Sequence, residues 1–254
     1  VCRYFRRFPR TCMPKKISLA PEAPRCSACM LNTLCLPMGM AENEIAQLDK
    51  IVNERIRIPK GKALFQQGDK AEALYGIRYG SIKTLLEDAN GQVQITGFLL
   101  PGEIVGLDGF LEKHQLSNAV ALEDTEVCVA HIEDMDRITA EIPSLKHQLR
   151  RLTSQEIKRS QQLVMSLGVL RSEQRLAAFL LSISQRLATL GYSSSEFVLR
   201  MSREEIGNYL GLTLETVSRL FSRFARENLL RVQQREVQLL DMPALRELAG
   251  TDCG

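Results

Sequence analysis

Ser202-Arg-Glu-Glu-Ile-Gly-Asn-Tyr-Leu-Gly-Leu-Thr-Leu-Glu-Thr-Val-Ser-Arg219 is the stretch whose reading decides the fold. Ser202 followed three residues later by Glu205 is a capping box, which opens a short helix over Arg203 to Leu210. Gly211 makes the turn, and Thr213 caps a second helix from Leu214 to about Arg226. Leu214, Val217, Phe221 and Phe224 recur at helical spacing and are expected to face inward, which turns Glu215, Ser218, Arg219 and Ser222 outward. Two short strands, near 230–232 and 237–240, would form a wing.

A recognition helix needs buried hydrophobes to fix its angle and hydrogen-bonding side chains on its first turns to reach base edges. Arg219 suits guanine O6 and N7, and Glu215 can accept from a cytosine amino group. A plain amphipathic helical hairpin is the alternative. The two caps, the glycine turn and the wing together favour a DNA reader.

At 254 residues the chain has room for two domains. The net charge of +3 is unevenly spread. Residues 1–25 hold seven Lys/Arg against one acid, 26–144 ten against eighteen, 145–170 five against one and 171–254 eleven against ten. The middle segment would therefore repel a polyanion, while the later ones would not. No run approaches the roughly 18 apolar residues of a membrane span, and residues 1–10 lack a signal's apolar core. A cytoplasmic protein is expected.

Between about residues 51 and 132 short apolar runs alternate with glycines; 73–77, 81–86, 92–96 and 126–130 look like strands, and Asp88-Ala-Asn-Gly91 supplies hairpin chemistry. An antiparallel sandwich or barrel is expected. One long helix then runs over 143–170, with Pro143 in its first turn. Leu145, Leu149, Leu152 and Leu163 form one stripe; Arg150, Thr153, Ile157, Ser160, Val164 and Leu167 form a second, with a/d spacing. Either both stripes lie in one core, or the second packs on another copy of the chain. A further helix over 172–190 ends at Gly191, and Ser193–Ser195 reads as a polar linker.

The organisation is then α+β: a basic extension (1–25) expected to be poorly ordered, a cysteine segment with a β-roll sensory domain (26–142), a dimerisation helix (143–170) and a winged helix-turn-helix (171–254).

Seven cysteines in a chain of this size, without an export signal, point to metal or redox work rather than a disulfide framework. Cys26, Cys29 and Cys35 form a C-x2-C-x5-C run whose thiolates suit zinc or an iron–sulfur cluster, and a fourth thiolate would complete the set. Cys128, in a strand, reads by itself as a small core residue. Cys2, Cys12 and Cys253 lie near the termini and read as incidental. His114, His131 and His147 are scattered and no catalytic constellation is visible, so a non-enzyme is expected.

The order β-roll, long helix, winged helix-turn-helix resembles the cyclic-AMP receptor protein superfamily. Several stretches resemble its FNR branch, the anaerobic fumarate-and-nitrate-reductase regulators including the pseudomonad Anr type. These are Cys26-x2-Cys29-x5-Cys35, Gln94-Ile-Thr-Gly-Phe98, Ala121-Leu-Glu123 ahead of Cys128, Arg175-Leu-Ala-Ala-Phe179, Ile206-Gly-Asn-Tyr-Leu-Gly-Leu212 and Glu215-Thr-Val-Ser-Arg219. The resemblance implies that Cys26, Cys29, Cys35 and Cys128 ligate an oxygen-labile [4Fe–4S] cluster, which oxygen converts to a [2Fe–2S] form. It also implies a homodimer meeting along Arg150, Thr153, Ile157, Ser160 and Val164, and a palindromic TTGAT…ATCAA-type site read by Glu215, Ser218 and Arg219. Contact with RNA polymerase is implied through loops such as the one around Glu87–Gly91.

Two residues depart from the family pattern. Ser160 stands where the enterobacterial relative has an aspartate whose repulsion opposes dimerisation, so a residual dimer without the cluster is expected. Met30 replaces a small polar residue beside the second ligand. A cyclic-nucleotide sensor would need Arg-Ser where Ser117-Asn118 stands, and no cyclic nucleotide is expected. The remaining alternatives are a regulator sensing another ligand, an iron–sulfur redox protein and a zinc-stabilised protein.

Overall fold

The structure is a computed structural model and describes residues 25–110 and 112–250. The basic extension up to residue 24 lies outside the described residues, as do Cys2, Cys12 and Cys253. Among the described residues no helix is long and apolar enough to cross a membrane.

Helix α1 (Glu42–Ile51) precedes eight strands: β1 (Glu54–Ile58), β2 (Ala63–Phe65), β3 (Ala73–Tyr79), β4 (Ile82–Glu87), β5 (Val93–Leu99), β6 (Ile104–Val105), β7 (Asn118–Ala121) and β8 (Thr125–His131). They form two antiparallel sheets, ordered β1-β8-β3-β6 and β2-β7-β4-β5. Ile58, Phe65, Ile77, Ile82, Leu99 and Val127 fill the space between them. The outer faces carry apolar patches as well, at Leu74, Ile104 and Ala130 on one and Ile95 and Phe98 on the other, while Arg55, Arg57, Arg78 and Glu126 form a charged cluster on the first. The expected hairpin forms between β4 and β5, where the Asp88 carboxylate accepts the backbone N–H groups of Asn90 and Gln92.

Helix α2 (Ile132–Glu141) leads into α3 (Pro143–Val169), with Pro143 in its first turn. Leu145, Leu149 and Leu152 join Leu48, Met135 and Ile138 over the outer face of the first sheet, at Leu74, Ile104 and Ala130. The second stripe of α3 faces away from this core: Ile157 is 54% and Val164 70% exposed. One stripe is thus largely buried within the chain, whereas the other leaves Ile157 and Val164 exposed and only Leu167, at its end, packs against Gly211.

Helix α4 (Ser172–Thr189) ends in a Schellman motif at Gly191, whose φ is +82°. Ser193–Ser195 is the expected exposed connection, held by hydrogen bonds on either side. The Ser184 hydroxyl donates to the Ser194 carbonyl, the Ser195 carbonyl takes the Leu239 N–H, and the chain enters β9 (Glu196–Val198). After α5 (Arg203–Leu210) and α6 (Leu214–Arg226) come β10 (Leu230–Gln233), β11 (Glu236–Leu239) and α7 (Met242–Ala249). The wing is therefore three-stranded, ordered β10-β11-β9, where the sequence suggested two strands.

The core of this C-terminal unit is continuous with the outer face of the second sheet, because Ile95, Phe98 and Leu122 pack in the same cluster as Phe179, Ile206 and Phe224. Phe98, Phe179 and Tyr209 stack mutually, with ring centroids 5.2–6.0 Å apart.

Candidate thiolate site and nucleic-acid interface

The cysteine segment is a run of tight turns. Cys29 N–H donates to the Cys26 carbonyl at 3.2 Å, Asn32 N–H to Cys29 at 3.1 Å, and Cys35 N–H to Leu31 at 2.9 Å. Two contacts fasten it. Ser27 donates through both N–H and hydroxyl to the Asp49 carboxylate on α1. At the far end Gln148, buried on α3, donates its amide to the Cys35 carbonyl at 3.1 Å.

Cys128 arrives from β8, where it pairs with Gly76 of β3 and Arg55 of β1. The Cys35 Sγ lies 3.2 Å from where a Cβ on Gly76 would stand, so the missing side chain lets Cys35 settle against β3 beside Cys128. Cys26, Cys35 and Cys128 all pack on the same outer apolar cluster. Cys128 is half-buried rather than sealed in the core.

Burial pushes the Cys35 thiol up to about 12, and the neighbouring Cys128 and Cys29 add to this against a lowering hydrogen bond from Leu36. Burial likewise raises Cys26, helped by Cys35, Cys128, Asp49 and Cys29. Cys128 is raised by burial, with Arg55 opposing. Cys26, Cys35 and Cys128, with Cys29 and two arginines nearby, form a donor set whose thiolate form needs a cation to hold it. Among the described residues no three His, Cys, Asp or Glu side chains stand at the geometry of a single-ion site. A four-iron cluster takes one thiolate at each iron, so its ligands stand farther apart than donors around one ion. The residues present fit such a group.

In the C-terminal unit the capping box closes as expected: Glu205 N–H donates to the Ser202 hydroxyl at 3.1 Å, and Ser202 N–H to the Glu205 carboxylate at 2.7 Å. Gly207 is required by a close approach, since a Cβ there would lie 2.6 Å from the Leu212 carbonyl oxygen. Thr213 caps α6 through the Thr216 N–H at 3.2 Å. Val217, Leu220, Phe221 and Phe224 are the buried face. Leu214, expected inward, is 45% exposed at the helix start, and Leu220 takes its place in the core.

Glu215, Ser218 and Arg219 are all exposed on the first turns. Hydrogen bonds from its own backbone N–H and from Thr213 hold the Glu215 carboxyl below its ordinary value, with Arg219 adding to the effect. The Arg219 guanidinium rests on the Thr216 hydroxyl at 3.2 Å. Sequence reasoning passed over Arg203, whose guanidinium lies 3.1 Å above the Phe221 ring centre and whose burial lowers it to about 10. Arg175, quoted above only within a family-like stretch and given no role there, donates to the carbonyls of Leu167, Leu170 and Leu210 and so ties the end of α3 to α5.

The seam residues Arg150, Thr153, Ile157, Ser160 and Val164 are all exposed on one side of α3. A groove of about 590 Å³ runs along Thr153, Ile157, Ser160 and Val164, with Leu107 and Asp108 also lining it.

Residues 174–248 match the Crp-like helix-turn-helix domain family, and residues 55–141 the cyclic nucleotide-binding domain family. The chain is 60% identical over 240 residues to the transcriptional regulatory protein btr of Bordetella pertussis, covering 94% of this chain and 99% of that one. It is 41% identical over 236 residues to the fumarate and nitrate reduction regulatory protein of Escherichia coli K12, covering 93% and 94% respectively. Among solved structures, FixK2 from Bradyrhizobium japonicum superposes with a TM-score of 0.71 at 28% identity, over 76% of this chain and 96% of that one.

Proposed function

This chain belongs to the FNR type of the CRP/FNR family of transcription regulators, and from that premise we propose that it is an oxygen-responsive, homodimeric, cytoplasmic regulator of anaerobic gene expression. In this reading Cys26, Cys29, Cys35 and Cys128 hold a [4Fe–4S] cluster, and Glu215, Ser218 and Arg219 read a palindromic TTGAT…ATCAA-type DNA site. One observation carries the proposal. Thiols from two distant parts of the chain gather on the outer face of the first sheet, where the buried stripe of the long helix also lies.

A bound cluster would supply the oxygen-labile centre. The chain's own residues do the rest. Asp49 holds the Cys26–Cys29 turn through Ser27, and Gln148 passes the position of Cys35 directly to α3. Farther along the same helix α3 presents Ile157 and Val164, whose burial between two copies would hold the dimer. Two recognition helices, about one DNA turn or ~34 Å apart, then share one palindrome. A monomer loses the second half-site together with its phosphate contacts. The exposed loop from Glu87 to Gly91 remains free for RNA polymerase.

Two observations support excluding a cyclic nucleotide. Gln115 is buried between Gly106 and Gly109, so side chain fills that space. The Ser117 hydroxyl donates at 2.7 Å to Asp108, a carboxylate where a phosphate would want an arginine.

The test is anaerobic purification with iron and sulfide assays and a visible spectrum, followed by air. About four irons per chain and a broad absorbance that bleaches in air are expected. Cys35→Ser should remove both. A colourless protein, iron-free after anaerobic reconstitution, would refute the cluster and leave a DNA-binding regulator with zinc as the next element to assay.

A further inference from the structure

Glu103 stands where three parts of the molecule meet. It lies on the turn between β5 and β6, and its carboxylate accepts the Leu100 N–H at 2.8 Å and Arg159 of α3 at 2.6 Å. It also accepts twice from Arg186 of α4, at 3.0 Å from Nε and again from a terminal amino group. Arg186 donates further to the Phe98 carbonyl on β5. The carboxylate is only 16% exposed, so these charges interact in a poorly screened setting, and removing one leaves its partners uncompensated.

The same turn is also the floor of the cysteine loop. Gly102, with φ +84°, has Leu34 Cβ 3.2 Å and Leu190 Cδ2 3.9 Å from where its own Cβ would be. Leu34 directly precedes Cys35. A pocket of about 260 Å³ is bordered both by Leu34 and Met38 and by Glu103, Arg159 and Arg186, so the loop and the ion pairs share one wall.

We infer that Glu103 is a positioning residue through which the cysteine loop sets the seating of the DNA-binding unit on the β-roll. What the loop senses rests on the proposed function above; the joint itself does not. When Leu34 moves, Gly102 and Glu103 move with it, and Arg159 and Arg186 follow the carboxylate.

The experiment compares amide hydrogen exchange in the C-terminal half of α4 for the full chain, with and without metal, in Glu103→Gln, Arg186→Gln and the double variant. Iron per chain, melting and sedimentation are recorded alongside. Glu103→Gln keeps the shape and removes the charge. Exchange is expected to rise at least tenfold, and affinity for a duplex carrying the TTGAT…ATCAA palindrome to fall about tenfold, with iron content and dimerisation unchanged. Arg186→Gln should match it, and serves alone should Glu103→Gln not fold. The double variant should lose no more than either single one, because the charges act as one unit. Exchange within twofold of the parent, or effects that multiply in the double variant, would overturn the joint. Leu34→Ala should reproduce the faster exchange with Glu103 intact, and a silent Leu34→Ala would overturn the loop's control of it. A parent that never binds iron would sink the sensing reading yet leave the exchange comparison decisive.

Discussion

Arg219 and Glu126 show opposite uses of a charged side chain. Arg219 is exposed on the second helix of the helix-turn-helix and held by one contact to Thr216, which leaves its guanidinium available for the proposed base contact. A bidentate contact to guanine is worth about 1–3 kcal/mol, so Arg219→Ala should lower affinity about 10- to 100-fold per half-site and relax preference at one base pair. Competition with base-substituted duplexes checks this. Glu126 is 3% exposed beside Cys128 on β8 and accepts from Arg57 at 2.9 Å and Arg78 at 2.7 Å, with Arg55 at 3.9 Å. Burial pushes its carboxyl up, but the hydrogen bonds and charges of the arginines outweigh this and hold it below 4.5. A depressed folded value stabilises the fold above the unfolded one and stops doing so as pH falls through it. Glu126→Gln should therefore destabilise by about 1–3 kcal/mol at neutral pH. That difference should vanish in acid, below the ordinary carboxylate range, in denaturant melts run across pH.

At the scale of elements, the two faces of α3 differ. Leu145, Leu149 and Leu152 are covered by their own domain, while Ile157 and Val164 are exposed, and the proposed dimer would bury them. Val164→Asp should give a monomer in sedimentation at any metal loading, with palindrome affinity reduced at least about 100-fold by loss of the second half-site. Ser160 is uncharged, so metal-free parent should retain some dimer; Ser160→Asp should abolish that residue while metal-loaded protein still dimerises. A metal-free parent that is wholly monomeric would refute the first half. Legibility of the elements followed the locality of their signals. Helices α5 and α6 run over the residues expected, since capping box, αL glycine and threonine cap are side-chain chemistry written within three residues. Helix α2 starts directly from β8 with no side-chain cap at His131, and α1 starts from Ala41, so neither announces itself. Helix α7 was legible and passed over: Asp241 caps Ala244, Pro243 sits in its first turn, and Gly250 closes it in αL.

On the scale of the whole molecule, the roll and the winged unit are joined rather than merely tethered. Asn208 of α5 works as an extra rung on the free edge of β5: its side chain accepts from Ile95 N–H and donates to the Val93 carbonyl at 2.8 Å, and its own carbonyl takes the Gln94 amide. A capped edge also cannot recruit another strand. Lys83 and Glu205 bond across the same contact at 2.7 Å. A shared core and polar latch of this kind predict one thermal transition in calorimetry for the parent. Asn208→Ala, which leaves β5 backbone groups unpaired at about 1–3 kcal/mol, should separate it into two or broaden it visibly.

The sequence by itself determined the elements whose cause is local: the capped helices and their turn, the β4–β5 hairpin, the Schellman end of α4 and the two-stripe pattern of α3. It also held the resemblance that names the family. Only the tertiary structure decided which stripe of α3 is buried, that Leu220 rather than Leu214 faces inward, and that Cys128 stands half-exposed beside Cys35. Those outcomes depend on contacts between residues far apart in the chain: Gly76 on β3 makes room for Cys35, and Gln148 on α3 reaches the same residue's carbonyl. Spacing along a chain cannot report which distant surfaces compete for one face; that is settled by packing and by desolvation of the groups enclosed.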